Sequence, residues 1–154
     1  AAVPTLVQKI DDGGRALKAK ASLDHALADV EAARAVAASA GRVGIVGYCW
    51  GGYVAWMSAS RLPGFACAAP YYGGGMLEAS GERPRCPVLA HFGEQDPMIP
   101  VEGVRRFAAA HPESQVLIYP ANHGFNCDQR GAFDAPSAKL ARERTLAFLR
   151  QHVG

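Results

Sequence analysis

The sequence has no long hydrophobic run and no cluster of positive charge, and these absences exclude several functions. No apolar stretch of the 154-residue chain approaches the ~20 residues that cross a bilayer, so we predict no membrane span. Sixteen basic and fourteen acidic residues leave a net charge of +2, and no basic run extends beyond Arg105-Arg106. Because binding to nucleic acid or to an anionic membrane requires a basic patch, the sequence predicts neither partner.

The sequence also lacks the cysteine spacings of a metal or disulfide framework. Its four cysteines, Cys49, Cys67, Cys86 and Cys127, form no C-x-x-C pair and no Cys/His cluster at zinc spacing. A chain of this length can bury a core without disulfides. We therefore predict reduced thiols, no metal and a cytoplasmic location.

The composition is that of one ordinary globular domain covering residues 1–154. Apolar residues make up 49% of the chain and charged residues 19%, which excludes a disordered or fibrous protein. The chain opens with Ala1-Ala2-Val3-Pro4, without an initiator Met or a charged and apolar leader. This start predicts a processed, trimmed or fragmentary chain.

Short apolar runs alternate with helical patterns along most of the chain. We predict a short strand from Thr5 to Ile10 followed by a turn at Asp11 to Gly14, and later strands at Arg42 to Gly47, Phe65 to Ala69, Val88 to Gly93 and Gln115 to Tyr119. Predicted helices run from Leu23 to Ala40 (capped by Ser22), Trp50 to Arg61, Val101 to Ala110 and Ser137 to His152. This alternation predicts an α/β fold with a mostly parallel sheet and helices on both faces. In such folds ligands bind at the carboxyl ends of the strands.

One candidate nucleophile follows the first of these later strands. Gly47-Tyr48-Cys49-Trp50-Gly51 has the G-x-nucleophile-x-G spacing of a sharp strand-to-helix turn, with Cys49 in the central place. We expect a strained backbone at Cys49, with glycine needed at both flanks to avoid clashes. The helix N-terminus favours a thiolate, and the Trp50 N–H is a candidate oxyanion donor. The alternative is an inert buried cysteine in a glycine-rich turn.

Candidates for the acid and the base follow two further strands. Asp96 comes after the third strand, where a turn aspartate before Pro97 is the alternative and Glu94 is the nearest competitor. His123 comes after the fourth strand, beside Gly124. The chain order Cys49, Asp96, His123 is the nucleophile–acid–base order of α/β-hydrolases.

Four segments resemble the dienelactone hydrolase family: Gly-Tyr-Cys-Trp-Gly-Gly, Ala-Pro-Tyr-Tyr-Gly, a strand ending Gly-x-x-Asp, and Asn-His-Gly-Phe. The last helix is similar too, so the resemblance covers about residue 23 to the end. It implies an α/β-hydrolase fold that needs no metal or cofactor and opens the lactone ring of dienelactone to give maleylacetate. By resemblance Cys49 is the nucleophile, His123 the base and Asp96 its orienting acid. Tyr71, Tyr72 and Phe125 would then contact the substrate.

The sequence departs from that family in two places. The strands that precede the first helix in the family have no counterpart here, which predicts an N-terminally truncated domain without the usual second oxyanion donor. Its sheet would end in an unpaired strand open to self-association. The arginine that follows the histidine by four residues in dienelactone specialists is replaced by Cys127, with Arg130 as a possible substitute. We therefore expect an ester or lactone substrate.

Three other functions fit parts of the sequence. A fragment with impaired catalysis would act as a binding or assembly module. A nucleotide-binding module would use the glycines of residues 44–52, but their spacing is not G-x-G-x-x-G and no acidic residue ends the next strand. A thiol oxidoreductase using Cys49 would lack a resolving cysteine at short spacing.

Overall fold

The computed structural model describes residues 20–154, which form four parallel strands and four α-helices. In chain order these are α1 (Leu23–Ala37), β1 (Val43–Tyr48), α2 (Trp50–Arg61), β2 (Phe65–Tyr71), β3 (Leu89–Gly93), α3 (Val101–Ala110), β4 (Gln115–Tyr119) and α4 (Ala135–His152). Single 3₁₀ turns cover Ala38–Ala40 and Gly74–Met76. The strand predicted at Thr5 to Ile10 and the turn at Asp11 to Gly14 lie outside the described residues.

The strands lie in the order in which they occur along the chain, β1-β2-β3-β4, and every neighbouring pair is parallel. All the carboxyl ends therefore meet at one edge of the sheet, as predicted. Within residues 20–154, β1 pairs with β2 alone, so its other side is an open edge. On this strand the side chains of Val46 and Tyr48 are 38% and 48% exposed.

Helices pack against both faces of the sheet, which confirms the predicted layers. On one face the small residues Ala68 and Ala90 belong to a buried cluster with Trp56 of α2 and Phe107 of α3. The rings of Trp56 and Phe107 meet edge to face with centroids 5.0 Å apart. Successive strand residues point to opposite faces, so Cys67 and Leu89 point the other way. They pack there against Phe148 of α4.

The predicted boundaries of α2, α3 and β4 match the structure, and others shift by a few residues. β2 continues through Pro70 to Tyr71, and Val88 precedes β3 in an isolated bridge to Ala68. The Ser22 hydroxyl caps α1 by accepting from the His25 N–H. α4 begins two residues earlier than predicted because the Asp134 carboxylate accepts from the Ser137 N–H.

No helix in the part of the chain that the structure describes is both long enough and apolar enough to span a membrane.

Candidate active site

Cys49 lies in a strained turn between β1 and α2, as the sequence predicts. Its backbone has φ 54° and ψ −117°, a conformation that non-glycine residues rarely adopt. The Cys49 N–H donates to the Tyr71 carbonyl at the end of β2 (3.0 Å), and its own carbonyl accepts from the Tyr53 N–H (3.2 Å). These two hydrogen bonds fix the turn against the neighbouring strand and against the first turn of α2.

Two close backbone contacts explain the glycines around this turn. A β-carbon at Gly47 would overlap the carbonyl of Gly51, and one at Gly52 would lie 2.5 Å from the Tyr71 carbonyl oxygen. A β-carbon at Gly51 would meet nothing within 4 Å. The expectation that both flanking glycines avoid clashes is therefore right for Gly47 and wrong for Gly51. Gly52 is the second glycine that the turn requires, because α2 passes so close to the end of β2.

The structure brings Cys49, His123 and Asp96 together in one hydrogen-bonded row. His123 Nδ1 lies 2.6 Å from Asp96 Oδ2, and His123 Nε2 lies 3.2 Å from Cys49 Sγ. Because a carboxylate can only accept, Nδ1 carries a hydrogen and donates it to Asp96. Nε2 then faces the sulfur, where it can accept the thiol proton or, once protonated, donate to a thiolate.

Asp96 is held in place by backbone as well as by His123. Its Oδ1 accepts from the N–H groups of Met98 (2.8 Å) and Ile99 (3.1 Å), while Oδ2 is left for the imidazole. The turn-forming and orienting interpretations of Asp96 are thus compatible, since each uses a different oxygen. The competitor Glu94 is half-exposed and lies 3.7 Å from Arg105 in an ion pair.

Neighbouring groups set the protonation of His123. Burial by itself lowers the pKa of the imidazole, but the hydrogen bonds to Asp96 and Cys49 and the attraction of their charges outweigh it and raise the pKa to about 9. The side chain is only 13% exposed. An imidazolium is therefore stabilised between the sulfur and the carboxylate at neutral pH.

The predicted substrate contacts are more deeply buried than Cys49 and His123. Tyr71, Tyr72 and Phe125 are at most 3% exposed. The Tyr72 ring lies against His123 (centroids 5.1 Å apart) and packs on Phe125 (5.4 Å). The Tyr71 hydroxyl instead meets Thr145 of α4. Tyr72 is thus the member of this group whose ring lies against the row, whereas Tyr71 contacts Cys49 through its backbone carbonyl. Trp50, the candidate oxyanion donor, is the first residue of α2 and lies directly after Cys49.

Sequence reasoning missed a buried polar network beside the row. His91 lies in the apolar strand β3, and its two ring nitrogens meet the hydroxyls of Tyr119 (2.8 Å) and Thr145 (2.9 Å). No sequence spacing signals these contacts, because His91, Tyr119 and Thr145 come from three separate elements. Among residues 20–154, no three His, Cys, Asp or Glu side chains converge as a metal site.

A parallel α/β sheet of this kind, with its polar row at the carboxyl ends of the strands, is the fold of the α/β-hydrolases. The crystal structure of a "Putative Dienelactone Hydrolase" from Klebsiella pneumoniae subsp. pneumoniae superposes with a TM-score of 0.75 and 30% identity, over 81% of this chain and 60% of that one. The Pyrococcus furiosus esterase PF2001 gives a TM-score of 0.68 at 15% identity, over 83% and 62% of the two chains, and shows the fold alone.

Sequence comparison gives the particular family. The pattern of the dienelactone hydrolase family matches residues 5–153, and the chain belongs to that family. A protein of Escherichia coli (strain K12) named "Putative carboxymethylenebutenolidase" is 31% identical over 171 residues, which cover 99% of this chain and 60% of that protein. A carboxymethylenebutenolidase of Pseudomonas putida is 36% identical over 118 residues, covering 72% and 49%. The chain thus spans about 60% of the length of the first of these relatives.

Proposed function

We propose that the protein hydrolyses a small lactone or carboxylic ester through Cys49, His123 and Asp96, without a metal or cofactor. The observation that carries this proposal is the row itself, with Nε2 3.2 Å from the sulfur and Nδ1 2.6 Å from the carboxylate. A nucleophile beside a base that a third group orients is the arrangement that nucleophilic catalysis needs. Membership of the dienelactone hydrolase family supports the same reaction class.

In the first half of this reaction the thiolate of Cys49 attacks the ester carbonyl. The N–H of Trp50, at the positive end of α2, donates to the developing oxyanion. The carbon–oxygen bond then breaks to give an acyl-thioester at Cys49. The leaving alkoxide or enolate takes a proton from the His123 imidazolium, so that the charge on the leaving oxygen is neutralised as it forms.

In the second half His123 acts as the base. Acylation removes the thiolate, which is one of the groups that raise the pKa of the imidazole. Neutral His123, with Asp96 fixing its Nδ1–H, can then take a proton from water that attacks the thioester. The acid product leaves and the thiolate returns. Tyr72 would contact the substrate near His123, with Tyr71 and Phe125 behind it.

The substrate we favour is a lactone of the dienelactone type, giving maleylacetate. Relatives named carboxymethylenebutenolidase support this choice. Arg130 is the candidate for binding the substrate carboxylate, because Cys127 occupies the place four residues after His123. We also propose a cytoplasmic location, since none of the four cysteines, all of which lie in the described part of the chain, forms a disulfide, as is usual in a reducing compartment.

The test is hydrolysis of dienelactone and of p-nitrophenyl acetate by the wild type, Cys49→Ala and His123→Ala. We expect both variants to lose turnover, while the matched control Cys86→Ala, which removes a thiol from the loop before β3, keeps it. If Cys49→Ala hydrolyses either ester at the wild-type rate, the proposed nucleophile is wrong. Alkylation of Cys49 by iodoacetamide, followed by mass spectrometry, tests activation of the thiol independently of turnover.

A second function, a binding or assembly module, is favoured by the edge of β1, along which no other described strand pairs. An unpaired strand can add a strand from another chain, and Val46 and Tyr48 leave apolar surface beside it. Self-association through this edge predicts a concentration-dependent dimer in analytical ultracentrifugation that Val46→Lys abolishes. A monomer at all concentrations would contradict it.

A further inference from the structure

The buried network beside the row joins the strands that carry it. The Tyr71 hydroxyl meets Thr145 Oγ1 (2.7 Å), Thr145 Oγ1 meets His91 Nε2 (2.9 Å), and His91 Nδ1 meets the Tyr119 hydroxyl (2.8 Å). None of these four residues is more than 6% exposed. They come from β2, β3, β4 and α4, so one chain of hydrogen bonds ties three neighbouring strands to the helix beneath them.

The hydrogens of this network can be placed in one consistent order. Arg144 can only donate, and it donates to the Tyr119 hydroxyl (3.3 Å). Tyr119 then gives its own hydrogen to His91 Nδ1, and the His91 Nε2–H donates to Thr145 Oγ1. This order requires neutral His91. Burial, and then the nearby Arg144 cation, lower the pKa of His91 to about 3, so the imidazole stays neutral.

Two residues of the network also hold the backbone of Cys49 and of Tyr72. The Tyr71 carbonyl accepts from the Cys49 N–H (3.0 Å), and the His91 carbonyl accepts from the Tyr72 N–H (2.7 Å). The ring of Tyr71 stacks on that of His91 with centroids 4.2 Å apart. Tyr72 in turn lies against the His123 ring. A displacement of Tyr71 or His91 would therefore move both members of the Cys49–His123 pair.

The network also connects β3 and β4, the strands that lead into the loops carrying Asp96 and His123. His91 lies five residues before Asp96, and Tyr119 lies four residues before His123. β3 and β4 pair in register there, with His91 opposite Leu117 and Gly93 opposite Tyr119. Backbone hydrogen bonds set this register, and the His91–Tyr119 bond adds a side-chain connection between the two strands.

We propose that Thr145 and His91 are positioning residues, which hold the Cys49 turn and His123 at reacting distance through Tyr71, Tyr72 and Tyr119. The inference rests on the proposed function, because it assigns these residues a role in that reaction. Thr145 is the key member, since its single oxygen meets both Tyr71 and His91. Small displacements at reacting groups lower the rate of the chemical step.

The test compares Thr145→Val, which replaces the hydroxyl by a methyl group of similar size, with Thr145→Ser, which keeps the hydroxyl. We expect Thr145→Val to lower kcat for ester hydrolysis about tenfold with KM within twofold, and Thr145→Ser to restore kcat to within twofold. Ser58→Ala is the matched control: it removes a buried hydroxyl whose hydrogen bond stays within α2. It should leave kcat unchanged. Should Thr145→Val fail to fold, Tyr119→Phe removes the partner of His91 Nδ1 and predicts the same kcat loss.

Two results would overturn this proposal. One is an unchanged kcat in Thr145→Val, even with a lower melting temperature, because the hydroxyl would then serve stability alone. The other is a Thr145→Ser enzyme as slow as Thr145→Val. If the wild type itself hydrolyses no ester, the proposed function fails and the positioning role is read from alkylation of Cys49. Slower alkylation in Thr145→Val with recovery in Thr145→Ser would support positioning, and equal rates in all three proteins would refute it.

Discussion

Replacing Asp96 by asparagine tests the electrostatic basis of the site. Oδ1 of Asp96 accepts two backbone N–H groups, from Met98 and Ile99. An asparagine at this position would turn its carbonyl oxygen toward them, since an amide nitrogen cannot accept. Its NH₂ group would then face His123 Nδ1, where the wild type has an acceptor 2.6 Å away. The imidazole must respond by moving its hydrogen to Nε2, which points that hydrogen at the sulfur.

The size of the effect follows from the pKa of His123. In the wild type this pKa is about 9, and among the influences that raise it the hydrogen bond to Asp96 comes first. Burial alone would place it below the ordinary 6.5. In Asp96→Asn burial opposes only the interaction with Cys49, so we expect the midpoint to fall toward 6.5; a full fall from 9 to 6.5 corresponds to about 3.4 kcal/mol at 1.36 kcal/mol per pH unit. Loss of the correct tautomer should also lower kcat, by less than the ~10⁴-fold seen with a serine nucleophile, because thiols ionise more readily.

The assay is a titration of the histidine ring signals by NMR, with the His123 signal assigned from its absence in His123→Gln. Asp29→Asn, on the exposed side of α1, is the matched control and should leave the midpoint near 9. A midpoint that remains near 9 in Asp96→Asn would refute the coupling between Asp96 and His123. Ester hydrolysis measured on the same samples links the titration to turnover.

Three further predictions concern stability, each measured by urea denaturation. Gly47→Ala should lower the free energy of unfolding by about 1–3 kcal/mol or more, because its β-carbon would overlap the Gly51 carbonyl. Gly51→Ala should raise the free energy of unfolding by about 0.5–1 kcal/mol, because its β-carbon would meet nothing within 4 Å. Equal effects of the two substitutions would contradict these contacts. Phe148→Ala should lower the free energy of unfolding by about 3–5 kcal/mol, because Phe148 of α4 is buried against the sheet. Replacing the exposed Phe133 by alanine should lower it by less than about 0.5 kcal/mol. A similarly small loss in both variants would refute the packing of α4. The pKa of His123 is raised in the folded protein, so its protonation stabilises the fold. This contribution to the free energy of unfolding, up to about 3 kcal/mol, is present below pH 6.5 and lost as the pH rises through 9. His123→Gln should not show this loss.

Most of the described fold could be predicted from the sequence because apolar runs and helical spacing recur in clear alternation. The parallel pairing followed from that alternation, whereas the strand order is known only from the structure. The errors lie at ends that local pattern does not determine. β2 continues through Pro70 because Tyr71 pairs with neighbouring strands, and α4 starts early because Asp134 caps it.

The candidate site could be predicted only in part. Cys49, Asp96 and His123 were found because each follows a strand, so the topology alone brings them to one edge. The requirement for Gly52 depends on how closely α2 passes the end of β2. The partners of His91 could not be found from spacing, because Thr145 lies 54 residues away on α4.

The pairing of Cys49 with His123 has a consequence for the maturation of the protein. The two residues are 74 positions apart, and His123 reaches the sulfur only after β4 has added to β3. Until then the thiol lacks the imidazole that would take its proton. During synthesis or refolding the sulfur is therefore not activated by His123 before the sheet is complete at β4. Full activation of Cys49 is thus tied to the pairing of β3 with β4, which couples the reactivity of the thiol to the integrity of the sheet.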